Sequence, residues 1–156
     1  MHTHNRAHEM VILVAGKSLH TGFVLEDGFT DPVLTTIGLY QGAIRPQGSI
    51  HYEFNDNCEP AVFIAGLSSE DPGVSRTAPN FFIEDPDLVN ADLGYPSFLQ
   101  GVDISKFAAT IPAAFAQGAA ACYKRCGIPH NLTGSYMGNN RPASPTSAGN
   151  AYQTSS

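Results

Sequence analysis

Tryptophan is absent from the 156 residues, and charge is scarce, with Asp, Glu, Lys and Arg making up only 14% of the chain. Soluble domains typically carry about 25%. Eight Lys and Arg against fourteen Asp and Glu leave a formal net charge of −6, and the basic residues form no cluster. That argues against a nucleic-acid partner, because neutralising phosphates needs grouped cations. No apolar run approaches the roughly 18 residues of a membrane-spanning helix, so no membrane association is expected. The chain also lacks a basic opening followed by an apolar stretch, the mark of a signal peptide. Only Met1 precedes His2, and an upstream segment is expected to be missing from this chain.

Cysteine is sparse. Cys58, Cys122 and Cys126 are an odd set, so at least one lacks an intrachain partner. Cys122 and Cys126 fall on a predicted helix, where a bridge between them would distort the helix or its end. Cys58 could pair with either, or with an upstream cysteine, and three reduced thiols are the other reading. Asn131-Leu132-Thr133 is a glycosylation sequon that matters only in a secreted chain.

What the chain does have is strand pattern. Apolar or alternating runs at Met10 to Ala15, Leu19 to Leu25, Val33 to Tyr40, Ser49 to Asn55 and Ala61 to Leu67 are separated by turn residues such as Gly16-Lys17-Ser18 and Asp31-Pro32. Five or six short strands with turns every 8–12 residues predict a sandwich or barrel, assigned to residues 1–76. Residues 77–128 are predicted as a helical extension of the same domain. Within it, Ala78 to Glu84 reads as irregular and Pro86 to Leu93 as a short helix with Pro in its first turn. Asp103 is predicted to cap a helix through Thr110, and Pro112 to open another ending at Gly127. Ile104, Phe107, Ile111 and Phe115 recur at helical spacing, as expected for core packing or a subunit contact. Residues 129–156, rich in Ser, Thr, Asn, Gly and Pro, are predicted to be disordered.

His2 and His4 lie two apart, so a strand projects both imidazoles from one face. Glu9 has the wrong parity for the same strand, and a turn or bulge across Asn5 to Ala7 would bring it to a neighbouring strand facing the same interior. His51 begins a second alternating set with Glu53 and Asn55. Three imidazoles and one carboxylate form a mixed nitrogen and oxygen donor set suited to manganese or iron, with zinc, copper and nickel also able to bind. Four such ligands leave two octahedral positions open. Glu53 is read as pointing to the barrel mouth, with proton transfer as its functional alternative. Asn55 is read as fixing a turn or an outer-shell hydrogen bond. His8, His20 and His130 fit no ligand spacing and are read as surface residues.

The segments HTHNRAHEMVILVAG and RPQGSIHYEFN resemble the two conserved boxes of the germin and spherulin branch of the cupins, and EPAVFIAGLSSEDPGV resembles the segment that follows the second box. The resemblance implies a mainly β fold, a double-stranded β-helix or jelly-roll barrel with its N-terminal strands missing, followed by C-terminal α-helices. It implies manganese held by His2, His4, Glu9 and His51. It also implies an extracellular, homo-oligomeric, often glycosylated protein. Family members include oxalate oxidases and superoxide dismutases, so a small-molecule substrate is expected of an enzyme. Two features depart from the family pattern. The Gly that usually opens the second box is replaced by Tyr40, and the upstream segment whose amide side chains hold oxalate is absent. Three functional readings follow: a manganese oxidoreductase, a non-catalytic metal-binding structural or storage protein of a cell wall or spore coat, and a truncated product that binds no metal.

Overall fold

The computed structural model describes residues 1–27, 31–99, 102–103, 106, 111 and 118–129. Its strands are β1 (His2–Thr3), β2 (Glu9–Ala15), β3 (Ser18–Val24), β4 (Val33–Gly38), β5 (Gly42–Arg45), β6 (Ile50–Phe54), β7 (Val62–Leu67), β8 (Ser75–Arg76), β9 (Phe98–Leu99) and β10 (Val102–Asp103). Three helices are described: α1 (Thr77–Phe82), α2 (Pro86–Asp92) and α3 (Ala120–Cys126).

Two antiparallel sheets build the body, one ordered β4-β3-β6-β1-β8 and the other β5-β2-β7. Alternation along β2 sets what lies between them: Glu9, Val11 and Leu13 are buried, whereas Met10 is exposed. Val11 and Leu13 meet Leu19 of β3 and Ile37 of β4, with Ala43 and Ala61 packed against them. Each such buried side chain contributes about 1.5–3 kcal/mol. The chain leaves the first sheet after Thr3, turns at Asn5 and Arg6, and enters the second sheet at Glu9. This is the parity change that the spacing of His4 and Glu9 requires. β7 is an edge strand of the second sheet, and all six of its residues are exposed.

Between β4 and β5 the backbone doubles back onto β2. Leu13 donates to the Gln41 carbonyl at 3.0 Å, and the Tyr40 N–H donates to the Leu13 carbonyl at 2.8 Å. Tyr40 holds φ at +62°, a left-handed conformation that costs a non-glycine residue about 1–2 kcal/mol. Its side chain is 77% exposed, so packing returns little. Tyr40→Gly relieves the strain at a smaller entropic cost, and a net gain of about 0.5–1 kcal/mol is expected, read as a rise of a few degrees in Tm. An unchanged or lower Tm would contradict it.

Several expectations about the C-terminal half are corrected. Thr77–Phe82 forms a helix although Arg76 supplies no capping side chain. The helix predicted from Asp103 through Thr110 lies largely outside the described residues, among which Val102 and Asp103 pair antiparallel with Leu99 and Phe98 and Lys106 is helical. The last helix begins at Ala120, because Gly118 and Ala119 are not helical, and it ends at Gly127 as expected. The helix from Pro86 forms with Asp85 as its cap, whose Oδ1 accepts from the Asp87 N–H at 2.9 Å. Of the predicted stripe only Ile111, which is buried, falls among the described residues. The tail from 130 onward, with His130 and the sequon, lies outside them. Cys58 and Cys126 form a disulfide and Cys122 is a buried free thiol.

Candidate metal centre

β1 and β6 pair so that His2 faces His51 directly. Their ring centroids lie 4.3 Å apart. His4 follows β1 with its ring centroid 5.0 Å from that of His2, and Glu9 enters from the opposite sheet. One potential ligand atom from each of His2, His4, Glu9 and His51 lies within 4.8 Å of the others. The four residues singled out by spacing are thus brought together. His4, Glu9 and His51 are buried and His2 is half-buried.

The hydrogen bonds behind the cluster fix how two rings present themselves. His51 Nδ1 lies 2.9 Å from the Ser49 carbonyl, and His4 Nδ1 lies 2.6 Å from the Gly73 carbonyl. A carbonyl only accepts, so each Nδ1 carries a hydrogen and donates it. In the neutral ring the bare lone pair is then on Nε2. Those Nε2 atoms point at one carboxylate oxygen: Glu9 Oε2 lies 2.9 Å from His51 Nε2 and 3.2 Å from His4 Nε2. His51 Nε2 is also 3.2 Å from His2 Nε2. Glu9 Oε2 is buried and has no well-aligned hydrogen-bond donor among the described residues. Lone pairs aimed at an anionic oxygen repel one another unless a cation lies between them. The donor set therefore fits a divalent metal on the chemistry of its own atoms.

The protonation tendencies of the metal-free chain express the same demand. Burial pushes the Glu9 carboxyl up, but the close His51 ring and the charges of the three imidazoles outweigh it and leave the group below its ordinary range. Burial works to lower His51, yet Glu9 and the Ser49 carbonyl raise it above its ordinary value. A proton takes the position a metal would take. His2 is pushed down to about 4, first by burial and then by His51 and His4. A folded value below the unfolded 6.5 means that the folded chain binds fewer protons between about pH 4 and 6.5. Through this group, stability of the metal-free protein rises with pH across that window. NMR titration should show the His2 ring neutral down to about pH 4; a midpoint near 6.5 would refute this.

Local turns hold the ligands. Gly48, at φ +78°, lets the Pro46–Ser49 turn close, and its N–H donates to the His4 carbonyl at 2.9 Å. Ser49 packs its hydroxyl onto the Pro46 carbonyl at 2.7 Å, leaving its own carbonyl for His51. Arg6 clamps the loop that leads to Gly73: Nε donates to the Asp71 carbonyl at 3.0 Å and a terminal nitrogen to Asp71 Oδ1 at 2.7 Å. A Cβ at Gly73 would meet the Arg6 guanidinium at 3.1–3.2 Å, with φ at +66°. Arg6→Ala should loosen this support and weaken metal binding about 10-fold, the lower end for outer-shell partners; isothermal titration checks it, and an unchanged affinity would remove the role.

Glu53 is not solvated at a barrel mouth. Its side chain is 9% exposed and lies 3.2 Å from the guanidinium of Arg45, which is 1% exposed. Burial and the nearby Glu9 raise the Glu53 carboxyl, opposed by Arg45 and His51. Arg45 is the residue that sequence reasoning missed. Its strand has only four residues and opens with Gly42, too short for alternation to show which side chains face inward. Asn55 fixes a turn, its Oδ1 accepting from the Asn57 N–H at 3.0 Å and its amide donating to the Glu59 carbonyl at 2.9 Å. His8 and His20 stand outside the cluster; His8 Nδ1 accepts from the Gln47 N–H at 3.0 Å, and His20 Nδ1 bonds the Thr36 hydroxyl at 2.9 Å.

Comparison with known proteins agrees with this architecture. The family model described as Cupin matches residues 1–93. Spherulin-1A of Physarum polycephalum is 40% identical over 127 residues, covering 81% of this chain and 50% of that protein. Putative germin-like protein subfamily 1 member 9 of Arabidopsis thaliana is 39% identical over 100 residues, covering 63% and 41%. The chain thus spans about half the length of the curated relatives it matches. A solved structure of recombinant oxalate oxidase in complex with glycolate superposes with a TM-score of 0.57 at 19% identity, covering 62% of this chain and 50% of that one. At that identity the likeness speaks for the fold, which is the mainly β barrel expected from the sequence.

Proposed function

We propose, from the premise that this chain belongs to the cupin family, that it binds a divalent metal through His2, His4, Glu9 and His51 and serves as an oxidoreductase on a small molecule. The observation that carries the reading is the convergence of two carbonyl-oriented imidazoles on the otherwise unsatisfied Glu9 Oε2. Three nitrogens and one oxygen suit manganese, with iron, zinc, copper and nickel as competitors. Such a metal would supply a redox couple and open positions for a small ligand. The chain's own residues orient and insulate: Ser49 and Gly73 fix the ring tautomers, and the inter-sheet interior excludes bulk water from His4, Glu9 and His51.

Manganese uptake, measured by elemental analysis after loading and gel filtration, tests the site. One equivalent per chain is expected, and none would defeat the reading. Superoxide and oxalate assays of the manganese-loaded protein then test turnover. The relatives named as germin-like, and oxalate oxidase as a structural neighbour, motivate both assays. Activity in either supports the enzyme; stoichiometric metal without turnover of either favours the second reading, a metal-binding structural or storage protein.

An extracellular location is part of the proposal, supported by the Cys58–Cys126 disulfide, since such bonds persist in oxidising compartments. So is a homo-oligomer. Met10, Ile44 and Ile64 on the second sheet are 46%, 64% and 62% exposed, an apolar surface of the kind that subunit contacts cover. Light scattering reads the oligomeric state, and a monomer at all concentrations would oppose it.

A further inference from the structure

We propose that Arg45 is a positioning residue that holds Glu53 away from the metal cluster, so that the site uses one carboxylate, Glu9, and keeps its remaining coordination positions open. The inference rests on the metal-binding reading above and concerns how this chain limits the ligand set.

Glu53 is a competitor by placement. It lies two residues after His51 on β6, so both side chains leave the same face of the strand about 7 Å apart. It is nearly as enclosed as the cluster, with a side chain 9% exposed. A divalent cation beside it would attract a second carboxylate as readily as the first, since two anions close together repel until a cation joins them.

Arg45 provides the opposing pull. It faces Glu9 directly across the β2–β5 ladder, and so stands on the same interior as the cluster. Its guanidinium is anchored: one terminal nitrogen donates to the Ala43 carbonyl at 2.8 Å and the other to the Thr21 hydroxyl. Thr21 is itself buried and donates to the Tyr52 carbonyl at 2.9 Å. The anchored charge then holds Glu53 Oε1 at 3.2 Å. That oxygen has no aligned hydrogen bond, so Coulomb attraction is what restrains it. Removing the guanidinium leaves Glu53 as an enclosed anion without its partner, a strongly unfavourable state. The nearest replacement is the metal.

The test uses Co2+ alone as an optical probe of coordination, on the full chain. Wild type and Glu53→Gln are expected to share the same Co2+ absorption bands, because Glu53 is not a ligand. Arg45→Met is expected to shift those bands and to bind Co2+ about 10-fold more tightly, comparable to known outer-shell effects. Arg45→Met combined with Glu53→Gln should restore the wild-type bands, a rescue that mere packing damage would not give. Altered bands in Glu53→Gln alone, or unaltered bands in Arg45→Met, overturn the proposal. Should Arg45→Met fail to fold by circular dichroism, Thr21→Val removes one anchor instead; a band shift in the same sense supports the proposal and none overturns it. Wild type that takes up no Co2+ or Mn2+ defeats the metal-binding reading itself, a result distinct from every outcome above.

Discussion

His51→Ala should lose metal binding by well over 100-fold, more than the roughly 10–100-fold that follows loss of an outer-shell partner. His51 is the hub of the cluster: its Nε2 is 2.9 Å from Glu9 Oε2 and 3.2 Å from His2 Nε2, and its Nδ1 is locked on Ser49. Removing the ring takes away one donor and the atom against which the other donors are arrayed. The consequence reaches stability by linkage. At metal concentrations near 1,000 times Kd, binding to the folded state alone stabilises by about 4 kcal/mol. Thermal melts of wild type should therefore rise on adding Mn2+ and fall with EDTA, whereas His51→Ala should melt at one temperature in both. A metal content in His51→Ala equal to wild type would remove His51 from the ligand set.

Cys58→Ser should destabilise the fold by about 4 kcal/mol, the chain-entropy value for closing a loop of this length. The bond joins residues 68 apart and ties α3 to the turn after β6. For a domain of this size the corresponding fall in Tm is on the order of 10 °C. The neighbouring Arg125–Asp56 ion pair, at 2.6 Å, joins the same elements but has both side chains substantially exposed, and exposed pairs contribute little. Cys58 is the informative position because its loss leaves no alternative bridge; Cys122 and Cys126 share one helix. Melts of wild type in reductant should approach those of Cys58→Ser. A difference below about 2 °C between oxidised wild type and the variant would show that α3 is held by packing instead.

The β-rich half was legible because its signals are local. The apolar run Met10 to Ala15 and the alternation along Ser49 to Asn55, with Gly and Pro between runs, specify strands without reference to partners. Where legibility failed, the local signal was weak or left more than one partner open. Thr77–Phe82 carries Pro79 and lacks a capping side chain, yet folds as a helix. Cys58 had two candidate partners, and only the docking of α3 selects Cys126.

The candidate ligands were readable from side-chain chemistry and strand parity, because a two-residue spacing fixes a shared face wherever the strand ends up. By itself the sequence determined a barrel of short strands and the donor types it would offer a metal. The tertiary structure decided which way each imidazole turns its lone pair, through the carbonyls of Ser49 and Gly73. It also decided which carboxylate meets the imidazoles and which is retained by Arg45. Charge interactions in an enclosed interior depend steeply on separation and on what excludes water, and both are set by how two sheets pack, which no single stretch of chain encodes.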